Sequence, residues 1–179
     1  MTNSPENVRI AVTGGISKAA FGVAAPTSGT ETLGGSWTSL GYIHADGIES
    51  SIDKTSNAIY AWQNSDKVRT SITEGSLTFT FKMIETSIAT VEAYFGGTVD
   101  TVTGKIEIVP SATTKGQFVI DIIDGTDAIR YYLPNAEITS VEAITYANGE
   151  PVAFGVTVEA YSVEGRSADL WVSSFIAGV

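Results

Sequence analysis

The chain has 179 residues, 43% hydrophobic and 17% charged, with twenty acids against ten bases and a formal net charge of −10. That length suits one domain, or one domain with an extended arm, and the acidic balance argues against tight nucleic-acid binding because it repels phosphate. There is no cysteine, which excludes disulfides, thiolate metal sites and cysteine nucleophiles.

Residues 1–36 read as an N-terminal arm. The opening, Met1 to Ile10, has no basic segment followed by an apolar one, so a signal peptide is not expected. Val8, Ile10 and Val12 alternate with Arg9 and Ala11, which predicts a short strand. Beyond Gly14-Gly15 the periodicity fades, and a flexible stretch is expected through Pro26 and Gly34-Gly35. A cleavable or tethering segment is the alternative reading. No apolar run approaches the ~18 residues that span a bilayer, so no membrane partner is expected, and a chain that stays soluble in a cytoplasm is.

Residues 37–179 read as one β domain. Tyr42-Ile43 lead into an Asp46-Gly47 turn; Ile48, Ile52 and Ile59-Tyr60-Ala61-Trp62 follow, then a loop at 64–66. The clearest strand is Val68 to Ile84. Leu77, Phe79, Phe81 and Met83 share one face; Ser76, Thr78, Thr80 and Lys82 share the other. Val68 and Ile72 have the opposite parity to Leu77, so a bulge near Glu74-Gly75 would restore one buried face.

One helix is predicted over 86–95, capped by Thr86 or Ser87, with Ile88, Val91 and Phe95 on one face and Gly96-Gly97 ending it. Strands are predicted at 105–109, 117–123, 129–133 and 138–146. Asn148-Gly149 then signals a tight hairpin to a return strand, 152–163. After Glu164-Gly165 come Trp171, Val172 and Phe175. The fold class is mainly β: a small antiparallel β-sandwich or barrel with one packed α-helix and an extended N-terminal arm.

Residues that could carry chemistry are sparse. His44 is the only histidine, and a triad needs a base held by a third group. Gly104-Lys105 fails as a phosphate loop, since Ile106 replaces the hydroxyl residue and Val99 the first glycine. Asp121, Asp124 and Asp127 lack the alternate spacing and distal glutamate of a calcium loop. Trp37, Trp62 and Trp171 could form a ligand platform, but strand tryptophans are mostly core or interface. No catalytic residue, metal site or cofactor is expected, and the chain reads as structural.

Three ordered blocks resemble the major tail tube proteins of siphophages, particularly those of actinobacterial phages. The first is Leu40-Gly-Tyr-Ile-His-Ala-Asp-Gly-Ile-Glu-Ser-Ser-Ile52. The second runs from Ile59 to Gly97 and carries Ala61-Trp62, Val68-Arg69-Thr70, Ile84-Glu85-Thr86 and Tyr94-Phe95-Gly96. The third joins Tyr132-Leu-Pro-Asn-Ala-Glu-Ile-Thr-Ser-Val141, Ile144 to Glu150, and Phe154 to Tyr161. Together they cover most of residues 40–163.

The resemblance implies a β-sandwich flanked by a helix. Six copies would close a homohexameric ring, and stacked rings would conduct DNA from capsid to host without binding it. It implies tape measure, tail terminator and tail-tip proteins as further partners, a place in the virion tail, and assembly in the host cytoplasm. Thr78, Thr80, Lys82, Asp121, Thr157 and Glu159 are then candidates to line the lumen, and Val8, Ile10 and Val12 to bridge rings. Alternation alone leaves the outer wall open as the place of the first set. The rival readings are the tube of a secretion or injection machine, a monomeric β-sandwich binding module, and a small hydrolase.

Overall fold

A computed structural model describes Pro5 and residues 8–173. Its strands are β1 (Thr13–Ala19), β2 (Thr38–Ser39), β3 (Ile43–Tyr60), β4 (Lys67–Met83), β5 (Val99–Asp100), β6 (Lys105–Ile106), β7 (Lys115–Asp124), β8 (Asp127–Val141), β9 (Phe154–Ala160) and β10 (Asp169–Val172), with one helix, α1 (Ile88–Phe95). Eight strands form one antiparallel sheet in the order β2-β1-β7-β8-β9-β4-β3, with β10 on β8; β5 and β6 pair separately. The protein is mainly β, sandwich-like, with one short helix, as the strand patterns imply.

Three residues draw the two ends of this sheet together. Leu40 N–H donates to Ile16 O on β1 at 2.8 Å, and Tyr42 O accepts from Ile84 N–H, just past β4, at 2.9 Å. Since neighbouring Cα atoms are about 3.8 Å apart, the edges of β1 and β4 lie close at this end and the sheet nearly closes. Its concave side holds Ile16, Leu40, Phe79, Phe81, Met83, Phe118, Ile120, Leu133, Val156 and Val158, all almost fully buried. Burying each such side chain contributes about 1.5–3 kcal/mol.

Helix α1 starts where Ser87 Oγ accepts Thr90 N–H and stops at Gly96, which holds φ at 69°. Only Thr90 and Ala93 are fully buried on it; Ile88 is 51% exposed, so the expected Ile88-Val91-Phe95 face is corrected. Small residues let the helix approach closely. Thr90 Oγ1 donates to Leu40 O at 3.0 Å, and Thr114 Oγ1 donates to Ala93 O at 2.9 Å.

The sequence reading needs four further corrections. The strand expected at Val8–Val12 lies five residues later, at Thr13–Ala19, because only there does the chain reach the side of β7, with Ile16 opposite Ile120. The stretch after it is not a loose linker. Gln117 is 7% exposed and, with its amide oxygen accepting the Tyr132 hydroxyl at 2.8 Å, donates to Val23 O and Ala20 O at 3.1 and 3.2 Å. Trp37 meets Tyr132 edge-on, 6.2 Å between centroids. The strands expected at 129–133 and 138–146 form a single strand, β8. It continues through Pro134 because the ladder with β7 slips there, between Gly116 and Phe118, and a bulge tolerates a missing N–H donor. Finally, Asn148-Gly149 is a turn, with Gly149 at φ 86°, but not a two-residue hairpin. β8 ends at Val141 and β9 begins at Phe154, after a last ladder-like bond from Glu142 N–H to Gly155 O at 2.8 Å.

Candidate functional site

The convex side of the sheet carries a polar strip. Directly opposed residues of antiparallel strands point to the same side, so the register assigns it. Thr78 stands opposite Glu159, Thr80 opposite Thr157, and Lys82 opposite Gly155 across β4 and β9. Thr80 Oγ1 and Thr157 Oγ1 are 3.2 Å apart. Glu137 and Ser140 of β8 extend the strip beside Glu159 and Thr157, and Glu49 and Ser51 of β3 extend it beside Thr80 and Thr78. Five of the six candidate lumen residues therefore share one continuous face. A hydrogen bond from Thr113 holds the Glu137 carboxyl below its usual range, and Lys115, 3.3 Å away, acts in the same direction. Lys82 Nζ lies 3.6 Å from both Asp46 and Glu142.

Asp121, the sixth candidate, is corrected: it is not a solvated acid. It lies on the same side of the sheet, but there loop 20–37 covers the strands. Arg130, 6% exposed, grips it with Nε to Oδ1 at 2.6 Å and Nη2 to Oδ2 at 2.9 Å. The remaining Arg130 nitrogen donates to Ser28 O at 3.1 Å and Glu31 O at 2.7 Å. The planar guanidinium suits this task, since it presents several donors in a fixed fork. Coverage on both sides explains why Gln117, Phe118, Val119 and Ile120 are all buried.

The loop carries a pH dependence of its own. Glu31 accepts Thr27 N–H at 2.6 Å and the Thr27 hydroxyl at 2.7 Å, and these bonds, the N–H first, lower its pKa. A depressed folded pKa means that the contribution is present above the unfolded value and lost as pH falls through the folded one. Amide exchange across 20–37 is therefore expected to rise below roughly pH 4.3, ahead of the core strands, and Glu31→Gln should remove that dependence. Core and loop amides losing protection together would count against it.

A second surface went unseen in the sequence. β4 pairs β9 only from Leu77 onward, so over residues 53–76 the β3–β4 hairpin stands beyond the body. Val68 and Ile72 are 62% and 63% exposed, which corrects the expectation that a bulge would bury them. The bulge itself exists, at Thr73, where pairing steps from Thr55–Glu74 to Ser56–Ile72. Ile52, Tyr60 and Trp62 are also exposed, Trp62 at 97%. The tip turns through Asn64 and Ser65, both left-handed at φ 58° and 55°. The signal for a protruding arm was the polar stretch 53–57 with no core-sized residue, between Ile52 and Ile59.

The remaining candidates disperse. Val8, Ile10 and Val12 are 66–70% exposed, on a segment tied down by Ile10 N–H to Asp124, Val12 N–H to Ile123 O, and Arg9 to Asp127 at 3.2 Å. Asp121, Asp124 and Asp127 thus serve three separate contacts, and among the described residues no acid or histidine group has metal-binding geometry. His44 Nδ1 accepts Asp46 N–H at 3.2 Å within a turn. Trp37 and Trp171 border loop 20–37, while Trp62 is on the hairpin.

A polar sheet face, a projecting apolar arm and no assembled reaction centre are what a building block presents. The sequence profile of phage tail tube proteins matches residues 1–177. The chain belongs to the phage tail tube protein family. It is accordingly a structural subunit of a phage tail tube and a component of the virion tail. A solved chain described as the tail of an empty GTA particle, from helical refinement with C6 symmetry, is 9% identical. The alignment covers 96% of this tail tube protein and 99% of that chain, with a TM-score of 0.44. No curated protein matches the sequence.

Proposed function

We propose that this tail tube protein assembles into six-membered rings whose stacked polar sheet faces form a channel for DNA. The observation that supports this best is the sheet's long open edge. β3 has eighteen residues and no strand partner on its outer side among the described residues. Such an edge promotes uncontrolled association unless paired or closed. Pairing across copies into a ring removes it. The strip of Thr78, Thr80, Thr157 and Glu159 with Glu49 and Glu137 would then face a wetted bore, where acids repel phosphate and the genome does not adhere. Lys82, between Asp46 and Glu142, adds little free positive charge to that surface. A tape measure protein inside the bore, terminator and tip proteins at its ends, and assembly in the host cytoplasm complete the reading.

Negative-stain microscopy of the purified chain tests it. Six-fold rings or tubes are the expected result, at high concentration or after addition of a tail-tip initiator. Monomers alone under both conditions would overturn the reading.

A further inference from the structure

Two apolar surfaces on this chain lack partners, and their shapes differ. One is the hairpin arm. Residues 52–61 at about 3.3 Å each carry its tip about 33 Å from the body, against a radius of gyration of roughly 16 Å for a chain this long. Trp62, Tyr60 and Val68 are exposed at or next to that tip. The other surface is a seam in the body. β2 covers β1 only at Ser17 and Lys18, so residues 13–15 keep a free edge. Opposite them β3 loops out, since five residues from Ile43 to Ile48 face only Met83 to Phe81 on β4. Between the two lies a cleft of about 350 Å³ lined by Val12, Gly14, Tyr42, Ile43, Ile48 and Ile122. Gly14 has to be glycine, because a Cβ there would meet Asp121 O at 2.4 Å, and its missing side chain keeps the cleft open. The exposed side chains of Val8, Ile10 and Tyr42 flank it.

We infer that the hairpin tip of one subunit, led by Trp62, docks into the seam between β1 and β3 of a neighbouring subunit. The inference rests on the self-assembly reading above. A convex apolar arm and a concave apolar seam on one chain make a heterologous contact, the kind that propagates from copy to copy into rings or filaments. Each surface alone would be an unexplained apolar exposure; together they explain one another. Aromatic side chains entering a pocket dominate interface energies, and Trp62 is the most exposed large apolar residue described. Charge agrees. The arm is neutral, with Asp53, Asp66 and Glu74 against Lys54, Lys67 and Arg69, on a chain of net −10. Its bases Lys67 and Arg69 bracket Val68 beside the tip. The seam's rim offers Asp46, 64% exposed, between the lining residues Ala45 and Gly47.

The lack of cysteine makes the test clean. Gln63→Cys, next to an intact Trp62, is labelled with benzophenone maleimide and assembled from a mixture of ordinary and nitrogen-15 subunits. After irradiation, the cross-linked peptides are mapped by mass spectrometry. Adducts joining the tip of one isotope to residues 11–14 or 41–48 of the other are expected. In parallel, Trp62→Ala should lower assembly at least tenfold while leaving the unfolding midpoint unchanged. Well-formed tubes whose adducts fall elsewhere, such as Ile108–Val109, or only within one subunit, overturn the docking site and leave the tube reading standing. No rings or tubes from any labelled or unlabelled chain overturn both.

Discussion

Replacing Arg130 with alanine is expected to cost about 3–5 kcal/mol and to release loop 20–37 from the sheet. The guanidinium is 6% exposed and satisfies both oxygens of Asp121 and the carbonyls of Ser28 and Glu31. Removing it leaves a carboxylate at 20% exposure without its counter-charge and two carbonyls without donors. The asymmetry between deleting one partner and deleting both supplies a control. Arg130→Met with Asp121→Leu leaves no unpaired charge and should recover much of the loss, as apolar replacement of a whole buried pair often does. Arg130→Lys should fall between, since one ammonium cannot reproduce a fork that holds a carboxylate edge-on. Urea unfolding gives the free energies and hydrogen exchange at 20–37 reports the loop. A loss under about 1 kcal/mol with unchanged loop protection would show that the packing of Trp37, Pro26 and Gly29 holds the loop without Arg130.

The same residues show where the sequence was legible. Strand β4 was readable from Leu77 to Met83 because one side meets a core and the other meets water, so alternation survives in the residue types. Helix α1 was readable from its ends, Ser87 and Gly96, because caps are set by local backbone chemistry. Its buried face was not, because Thr90 and Ala93 are small and the approach of Leu40 that selects them is a contact 50 residues away in sequence. Strand β7 gave the wrong exposure for Asp121 because alternation assumes one wet side. Here the second side is covered by a Gly-, Ser- and Thr-rich stretch that carries no periodicity of its own. Only its partners Arg130, Gln117 and Tyr132 order it, and none of them lies near it in sequence. The candidate channel strip was half visible: each strand announced a polar side, but the alignment of Thr78 with Glu159 and of Glu159 with Glu137 belongs to the register. The hairpin arm was misread for a plain reason. Exposed Val68, Ile72 and Trp62 have the composition of a core, and a surface destined for another copy looks in sequence like an interior.

Replacing Glu49 and Glu159 together with lysine is expected to stall DNA ejection while leaving tube assembly intact. Glu49 is exposed and Glu159 half-buried on the polar strip, on β3 and β9, and neither makes an ion pair within 4.0 Å among the described residues. The substitutions therefore break no salt bridge in the subunit, and surface changes of this kind usually alter stability by no more than about 0.5 kcal/mol. Their effect on a bore is larger, because every ring repeats them and each acid becomes a base. A phosphate backbone facing such a surface gains attraction where it met repulsion, and DNA that binds its conduit releases condensed counterions. The stall should therefore relax as salt rises and the Debye length shrinks below about 8 Å. Asp121 is not a suitable position for this experiment, since a lysine there would face Arg130 and unfold the site it was meant to report on. The measurement is the ejection rate from purified mutant tails that microscopy shows to be complete, across a range of salt. Ejection at the parental rate would place this strip on the outer wall of the tube. Slowed ejection that ignores salt would point to a narrowed bore, since lysine is longer than glutamate, and not to charge.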